Sequence, residues 1–249
     1  MDDKAYLITT YIVSIAALIA FLLDVSGRLI TKRSLEFKDY IIYVLFFAGM
    51  YLIVPCALYT IGKNQENMDL IEKAAALSIN NYEKRLCYQI LADYNYSEAK
   101  KDGKAAIEYY EKAIAGEYSK YAKSSRALAY LYLLRGDSER VIKIEQDISS
   151  KEILPFAYIL KGEYKKALDV YPNKSDSEHL YLRSAILASL GRQQDAALYR
   201  IDATKAFNKE LKEIPDKAQQ VEFAKKIANY KSIAAFKTKL SRDKKEYNL

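Results

Sequence analysis

Lys101-Asp-Gly-Lys-Ala-Ala-Ile-Glu-Tyr-Tyr-Glu-Lys-Ala-Ile114 decides how most of this chain is read. Ala106, Tyr110 and Ala113 recur at helical spacing, so they share one face of a helix. Lys101-Asp-Gly103 reads as the polar turn ahead of it. The same pattern returns in Arg135-Gly-Asp137 before Val141, in Lys161-Gly-Glu-Tyr-Lys-Lys-Ala-Leu168, and in Leu190-Gly-Arg192 before Asp195-Ala-Ala197. Four times a helical run ends at a glycine in a polar turn and a second helical run begins. Glycine suits that place because it accepts the left-handed backbone that closes a helix. Composition agrees: Ala, Leu, Lys, Glu and Tyr dominate, while the chain has 8 Gly, 4 Pro and no Trp. The expected fold class is all-α, built from helix pairs.

These positions resemble the tetratricopeptide repeat family, whose helix–turn–helix units carry large and small residues at fixed places. The best match is Leu128-Ala129, Tyr132, Gly136 and Val141. Next come Tyr158, Gly162, Tyr164 and Ala167, then Leu187, Gly191 and Ala196, and Ala106, Tyr110 and Ala113 from the first unit. Taking Ala106, Val141, Ala167 and Ala196 as equivalents gives spacings of 35, 26 and 29, against about 34 in the family. The later repeats are therefore shortened, and Pro155 and Pro172 cut helices near their ends. The resemblance covers roughly residues 82–203. It implies an α-solenoid that presents a groove to another protein.

Outward from the repeats, residues 63–80 read as a polar linker and a first soluble helix, with Asn67 capping Met68–Ile79. Repeats are expected over 81–203 and a closing segment over 204–249. In that segment Phe207–Ile214 reads as a short helix broken by Pro215, and Asp216 as the cap of a long helix through Leu240. Val221, Ala224, Ile227, Ala228 and Ala234 give this helix an apolar face, as expected of a C-terminal capping helix that covers the last repeat. Its other face is basic. Lys225, Lys226, Lys231, Lys237 and Lys239 are candidate contacts for anionic lipid or an acidic partner. The formal net charge of +7 belongs to the chain after residue 62, because the basic and acidic residues of 1–62 balance, and falls mostly at its end.

The N-terminal 62 residues read as a transmembrane hairpin. Ala5–Leu23 is uncharged and spans about 28 Å as a helix, close to one hydrocarbon core. Tyr40–Gly62 is a second uncharged run. The loop 24–39 between them carries Arg28, Lys32, Arg33 and Lys38. A signal peptide fits less well, because Met1-Asp-Asp-Lys4 is not a basic start and a second span follows. The basic loop is expected in the cytoplasm of an inner (plasma) membrane protein, which makes the soluble domain extracytoplasmic or periplasmic. Ala16 and Ala20 in the first span, and Ala48 and Gly49 in the second, would let backbones approach closely. A membrane anchor followed by an extracytoplasmic repeat domain is similar to two bacterial families: the ancillary subunit of the Sec translocon and the two-span scaffold of cytochrome c maturation. In the first of these, the comparable stretch here is Lys161–Ala167.

No motif for catalysis, metal or cofactor emerges. The one histidine, His179, reads as a helix-surface residue. Cys56 falls in the second span and Cys87 in the first soluble helices, so the two are not expected to pair. Ser97-Glu-Ala-Lys100 and Ser241-Arg-Asp-Lys244 have Ser-x-x-Lys spacing without companion motifs. Nucleic acid is not an expected partner, since Phe223 and Tyr230 fall near the apolar face rather than on a stacking surface. The expected function is a membrane-anchored scaffold that binds another protein as an assembly or translocation accessory. Tyr94, Tyr96, Tyr109, Tyr118, Tyr121, Tyr130, Tyr132 and Tyr158 are its candidate contacts, with core packing the competing reading for each. The alternative is a structural subunit of a membrane complex held through its hairpin.

Overall fold

The structure, a computed structural model, describes residues 37–249 together with Ile19, Phe21, Leu23, Asp24, Ser26 and Gly27. Among the described residues it is all-α, with no strand. The helices are α1 (Phe37–Asn64), α2 (Met68–Leu77), α3 (Asn81–Tyr96), α4 (Gly103–Ile114), α5 (Ala122–Arg135) and α6 (Ser138–Asp147). They continue with α7 (Leu154–Lys161), α8 (Tyr164–Val170), α9 (Ser177–Ser189), α10 (Gln193–Glu213), α11 (Lys217–Ala228) and α12 (Ile233–Glu246). The chain divides into two compact units, Met1–Asp93 and Tyr94–Leu249.

In the first unit α1 runs unbroken through Pro55. Asn67 caps α2 as expected, its side chain accepting from the Leu70 amide at 3.3 Å. The ten residues of α2 are about 15 Å long, so after the turn they reach back to about Val54 of α1. Ile71, Ala74 and Ala75 are buried there, with Cys56 and Gly62 on the α1 side. A Cβ on Gly62 would meet Ile71 Cδ1 at 2.9 Å, so this glycine allows a close crossing. The last turns of the expected second span therefore pack on α2 rather than standing free. Cys56 and Cys87 are both free thiols, 3% and 2% exposed, and lie within electrostatic reach of each other. They are not paired, as expected.

Phe21 and Tyr43 meet edge to face at 5.5 Å, so the two expected spans touch at that pair. Most of Ala5–Leu23, including Ala16 and Ala20, lies outside the described residues, as does most of the loop 24–39. Among the described residues no helix is long and apolar enough to cross a membrane. The uncharged stretch Tyr40–Gly62 of α1 lies partly on side chains outside that set.

In the second unit each helix from α4 to α10 packs on the next in sequence. The turns explain the order. Gly136, Gly162 and Gly191 have φ of 90°, 76° and 77°, the left-handed conformation expected at a helix end. Asp137, immediately after Gly136, caps α6 by accepting from the Arg140 amide. Asp102 caps α4 and Asp176 caps α9 in the same manner. Nothing lies within 4 Å of a Cβ built on Gly136, so alanine there is penalised through the backbone alone. Gly136→Ala is expected to lower stability by about 1–2 kcal/mol, read from the urea midpoint, with Asn less harmful.

Three expectations change. Gly103 is not a helix end but the buried first residue of α4. The 207–214 region is not a separate helix, because α10 continues from Gln193 to Glu213. The expected single helix from Asp216 to Leu240 is two helices that break at Asn229–Ser232, with Asp216 capping the first and Ser232 the second. Pro155 stands in the first turn of α7, where its missing N–H is harmless. The small positions behave as expected: Ala106, Ala129 and Ala167 are fully buried, which lets consecutive helices approach closely, and so is Ala157, which the sequence pattern did not single out.

Candidate helix-binding face

In a chain of paired helices, alternate members share a side. Here α5, α7 and α9 are the first helices of successive pairs, and α12 runs across them. It packs on α5 and α9, and its Phe236 ring meets Phe156 of α7 at 5.2 Å. Fourteen residues make about 21 Å of helix. That is the distance needed to cross two spacings of packed helices at about 8–10 Å each. Beyond α12 the chain reaches the start of the unit. Tyr247 stacks on Tyr96 at 5.4 Å, and its carbonyl accepts from the Gly103 amide at 2.8 Å. A Cβ on Gly103 would stand 2.7 Å from both the Tyr247 carbonyl and Leu249 Cγ, so glycine is required there by a tertiary contact. The closing segment, expected on the last repeat, thus also reaches earlier helices of the unit.

The contacts of α12 fall on one stripe. Phe236, Leu240, Asp243 and Tyr247 are spaced at i, i+4, i+7 and i+11, one helical face. Phe236 and Leu240 are its two buried side chains. Burial of each contributes about 1.5–3 kcal/mol. Asp243 pairs with Lys239 one turn back at 2.5 Å, both side chains mostly covered at 14% and 19% exposure. The Tyr130 hydroxyl donates to Asp243 at 3.2 Å. Burial, with the Asp243 carboxylate adding, pushes the Tyr130 phenol far above its ordinary range. Burial and then Tyr247 push Tyr96 up to about 12. The far end is joined by surface pairs: Glu246 with Lys101, and Lys244 Nζ donating to the Arg135 carbonyl at 3.3 Å.

The candidate tyrosines separate into groups. Tyr132 is 2% exposed and sits in the core of α5. Its hydroxyl donates to Glu111 and accepts from Arg140. Tyr96 and Tyr130 hold α12 and the residues after it. Tyr94 is exposed. Tyr109, Tyr118, Tyr121 and Tyr158 are half-buried, the first, third and fourth with Lys112, Lys120 and Lys166 over their rings.

The candidate lysines separate too. Lys239 is held by Asp243, and Lys226 pairs with Glu178 at 3.1 Å. Lys231 lies over Tyr181 and Phe207 at 5.3 and 5.7 Å. Lys225 and Lys237 face solvent. His179 is half-buried in the first turn of α9, with Nδ1 2.7 Å from Asp176 Oδ1, rather than on the surface. Among the described residues no group of His, Cys, Asp and Glu is arranged to hold a metal ion.

Phe156, Phe236, Leu240, Asp243 and Tyr247 were not among the residues expected to matter. The spacing of the last four is legible in the sequence. What concealed it was the break at Asn229–Ser232, which shifts the apolar face of α12 out of phase with that of α11. Comparison with protein-family models, curated proteins and solved structures finds no match to this chain.

Proposed function

We propose that this protein is a helical-repeat scaffold, held at a membrane by residues 5–62, that binds another protein through the face formed by α5, α7 and α9. The observation that carries this reading is that the face already holds a helix lengthwise. It does so by ring contacts, two apolar anchors and a hydroxyl–carboxylate bond, the mixture that protein interfaces use. The tetratricopeptide-like pairing of helices supports it, as does the position of the aromatic residues on first helices. The uncharged runs 5–23 and 40–62 and the basic loop between them support an inner-membrane anchor with the repeats on the extracytoplasmic side. Anchoring raises the local concentration of scaffold around membrane complexes, which suits an assembly or translocation accessory.

The test is site-specific photo-crosslinking in native membranes, with the probe at Phe156 or Tyr181 and mass spectrometry of the adducts. Adducts to a membrane-associated protein are expected. Adducts confined to residues 230–249 of the same chain would remove the scaffold reading. Sidedness is read by labelling an engineered cysteine beyond Gly62 with an impermeant maleimide in intact cells. The background is low because Cys56 and Cys87 are buried. Burial, with the Glu83 carboxylate adding, also pushes the Cys87 thiol up to about 12, leaving almost no reactive thiolate at neutral pH.

A further inference from the structure

We infer that residues 230–249 are an exchangeable occupant of the α5–α7–α9 face, and that the partner it excludes is an amphipathic helix carrying the same stripe. That stripe is an aromatic residue, an aliphatic residue four positions on, a carboxylate three further, and an aromatic four beyond that. The inference rests on the scaffold reading in one respect, that the competitor is a protein helix.

Four features make α12 removable as a unit. The segment 230–249 is anchored by three buried side chains in twenty residues, Tyr230, Phe236 and Leu240, whereas α5 buries Leu128, Ala129, Leu131, Tyr132, Leu133 and Leu134 in a helix of fourteen. Its covered ion pair, Lys239–Asp243, lies wholly within it, so departure strands no charge on the face. This matters because removing one partner of a covered pair is far more damaging than removing both. It carries its own cap, Ser232 accepting from the Ala235 amide at 3.1 Å, so its first turn stays satisfied when it moves. The break at Asn229–Ser232 separates it from α11, which keeps its own cap, Asp216, and its stacking of Phe223 on Phe207 at 5.7 Å.

What the departure leaves behind is a surface of Phe156, Tyr130 and Tyr96, with Lys101 at the end that receives Glu246. An incoming helix needs an aromatic residue for Phe156, a carboxylate for the Tyr130 hydroxyl and an aromatic for Tyr96. The face therefore specifies direction as well as composition, since only one orientation places the carboxylate on α5 and the second aromatic beyond it.

The test uses full-length chains and a fluorescent peptide of residues 230–249. In the unsubstituted protein the attached segment competes with the peptide, so apparent affinity is reduced by the closed fraction. Phe236→Ala/Leu240→Ala weakens the attached segment and leaves the face intact. The double variant is expected to bind the peptide at least about tenfold more tightly than the unsubstituted chain, and a Tyr247→Ala peptide more weakly. Equal or absent binding by a double variant with full helix content overturns the inference. Amide exchange on the unsubstituted chain is an independent arm: α12 is expected to exchange about 100-fold faster than α5, as a locally opening segment does. Equal protection of the two overturns the inference even where the double variant fails to fold. Binding of the double variant to anionic vesicles, without peptide binding, would assign the released segment to lipid and also overturns it. Peptide binding with no membrane-protein adduct in the crosslinking experiment would keep the exchange and remove the scaffold reading, so the two failures are distinguishable.

Discussion

Tyr132→Ala is expected to destabilise the second unit by about 3–5 kcal/mol, the range for emptying a large buried aromatic site. Tyr132 is 2% exposed and central in α5. The guanidinium groups of Arg135 and Arg140 lie over its ring at 4.8 and 5.0 Å. Its hydroxyl links Glu111 of α4 to Arg140 of α6, with Arg140 donating at 2.7 Å, so one side chain ties three consecutive helices. Burial, with the hydrogen bond to Glu111 adding, pushes the phenol up to about 12. Tyr132→Phe removes only the hydroxyl and is expected to lose about 1 kcal/mol. Urea unfolding of both variants checks the pair. An alanine variant with an unchanged midpoint but lost partner crosslinks would return Tyr132 to the binding surface.

Glu145→Ala is expected to lose about 2–4 kcal/mol, because it orphans two backbone donors at once. Glu145 is fully buried. Its Oε2 accepts from the Ile153 amide at 2.9 Å and the Leu154 amide at 3.3 Å, and so caps the start of α7. The residue preceding α7, Ile153, has no capping side chain of its own, which makes α6 supply the cap from eight positions away. Its Oε1 is buried with no partner. Glu145→Gln keeps the acceptor for the two amides and is expected to lose less. The amides of Ile153 and Leu154 should exchange faster in the alanine variant, and unchanged exchange there would refute the cap. Disturbing α7 displaces Phe156, so this variant should also loosen α12.

Much of the second unit was legible in the sequence. The Gly–Asp pair at 136–137 encodes a left-handed stop followed by a cap, two local devices that act within a few residues of each other. Ala106, Tyr110 and Ala113 encode a buried stripe by period alone. Asn67 and Asp216 announced helix starts for the same local reason. The N-terminal segment was legible only as two uncharged runs. The structure adds to it the Phe21–Tyr43 contact and the packing of α2 on the last turns of α1.

The face of α5, α7 and α9 was not legible in this way. Tyr94, Tyr96, Tyr130 and Tyr132 are near neighbours in sequence or period, yet one is exposed, two touch the closing segment and one is core. A tyrosine satisfies all three environments, since its ring is apolar and its hydroxyl polar, so residue type cannot choose among them. Glu145 reads in sequence as one of many charged residues on a helix. Only the approach of the α7 amides makes it a cap.

By itself, the sequence of this chain determined its helical class, the pairing of helices about glycine turns, most helix starts and the basic character of its last helices. Each of these depends on interactions within a turn or two of the chain. Tertiary structure alone decided that α12 crosses α5, α7 and α9, that Gly103 must lack a side chain, and which tyrosines face it. These depend on contacts between residues far apart in the sequence, such as Phe156 with Phe236 and Tyr130 with Asp243. No local period encodes such a meeting.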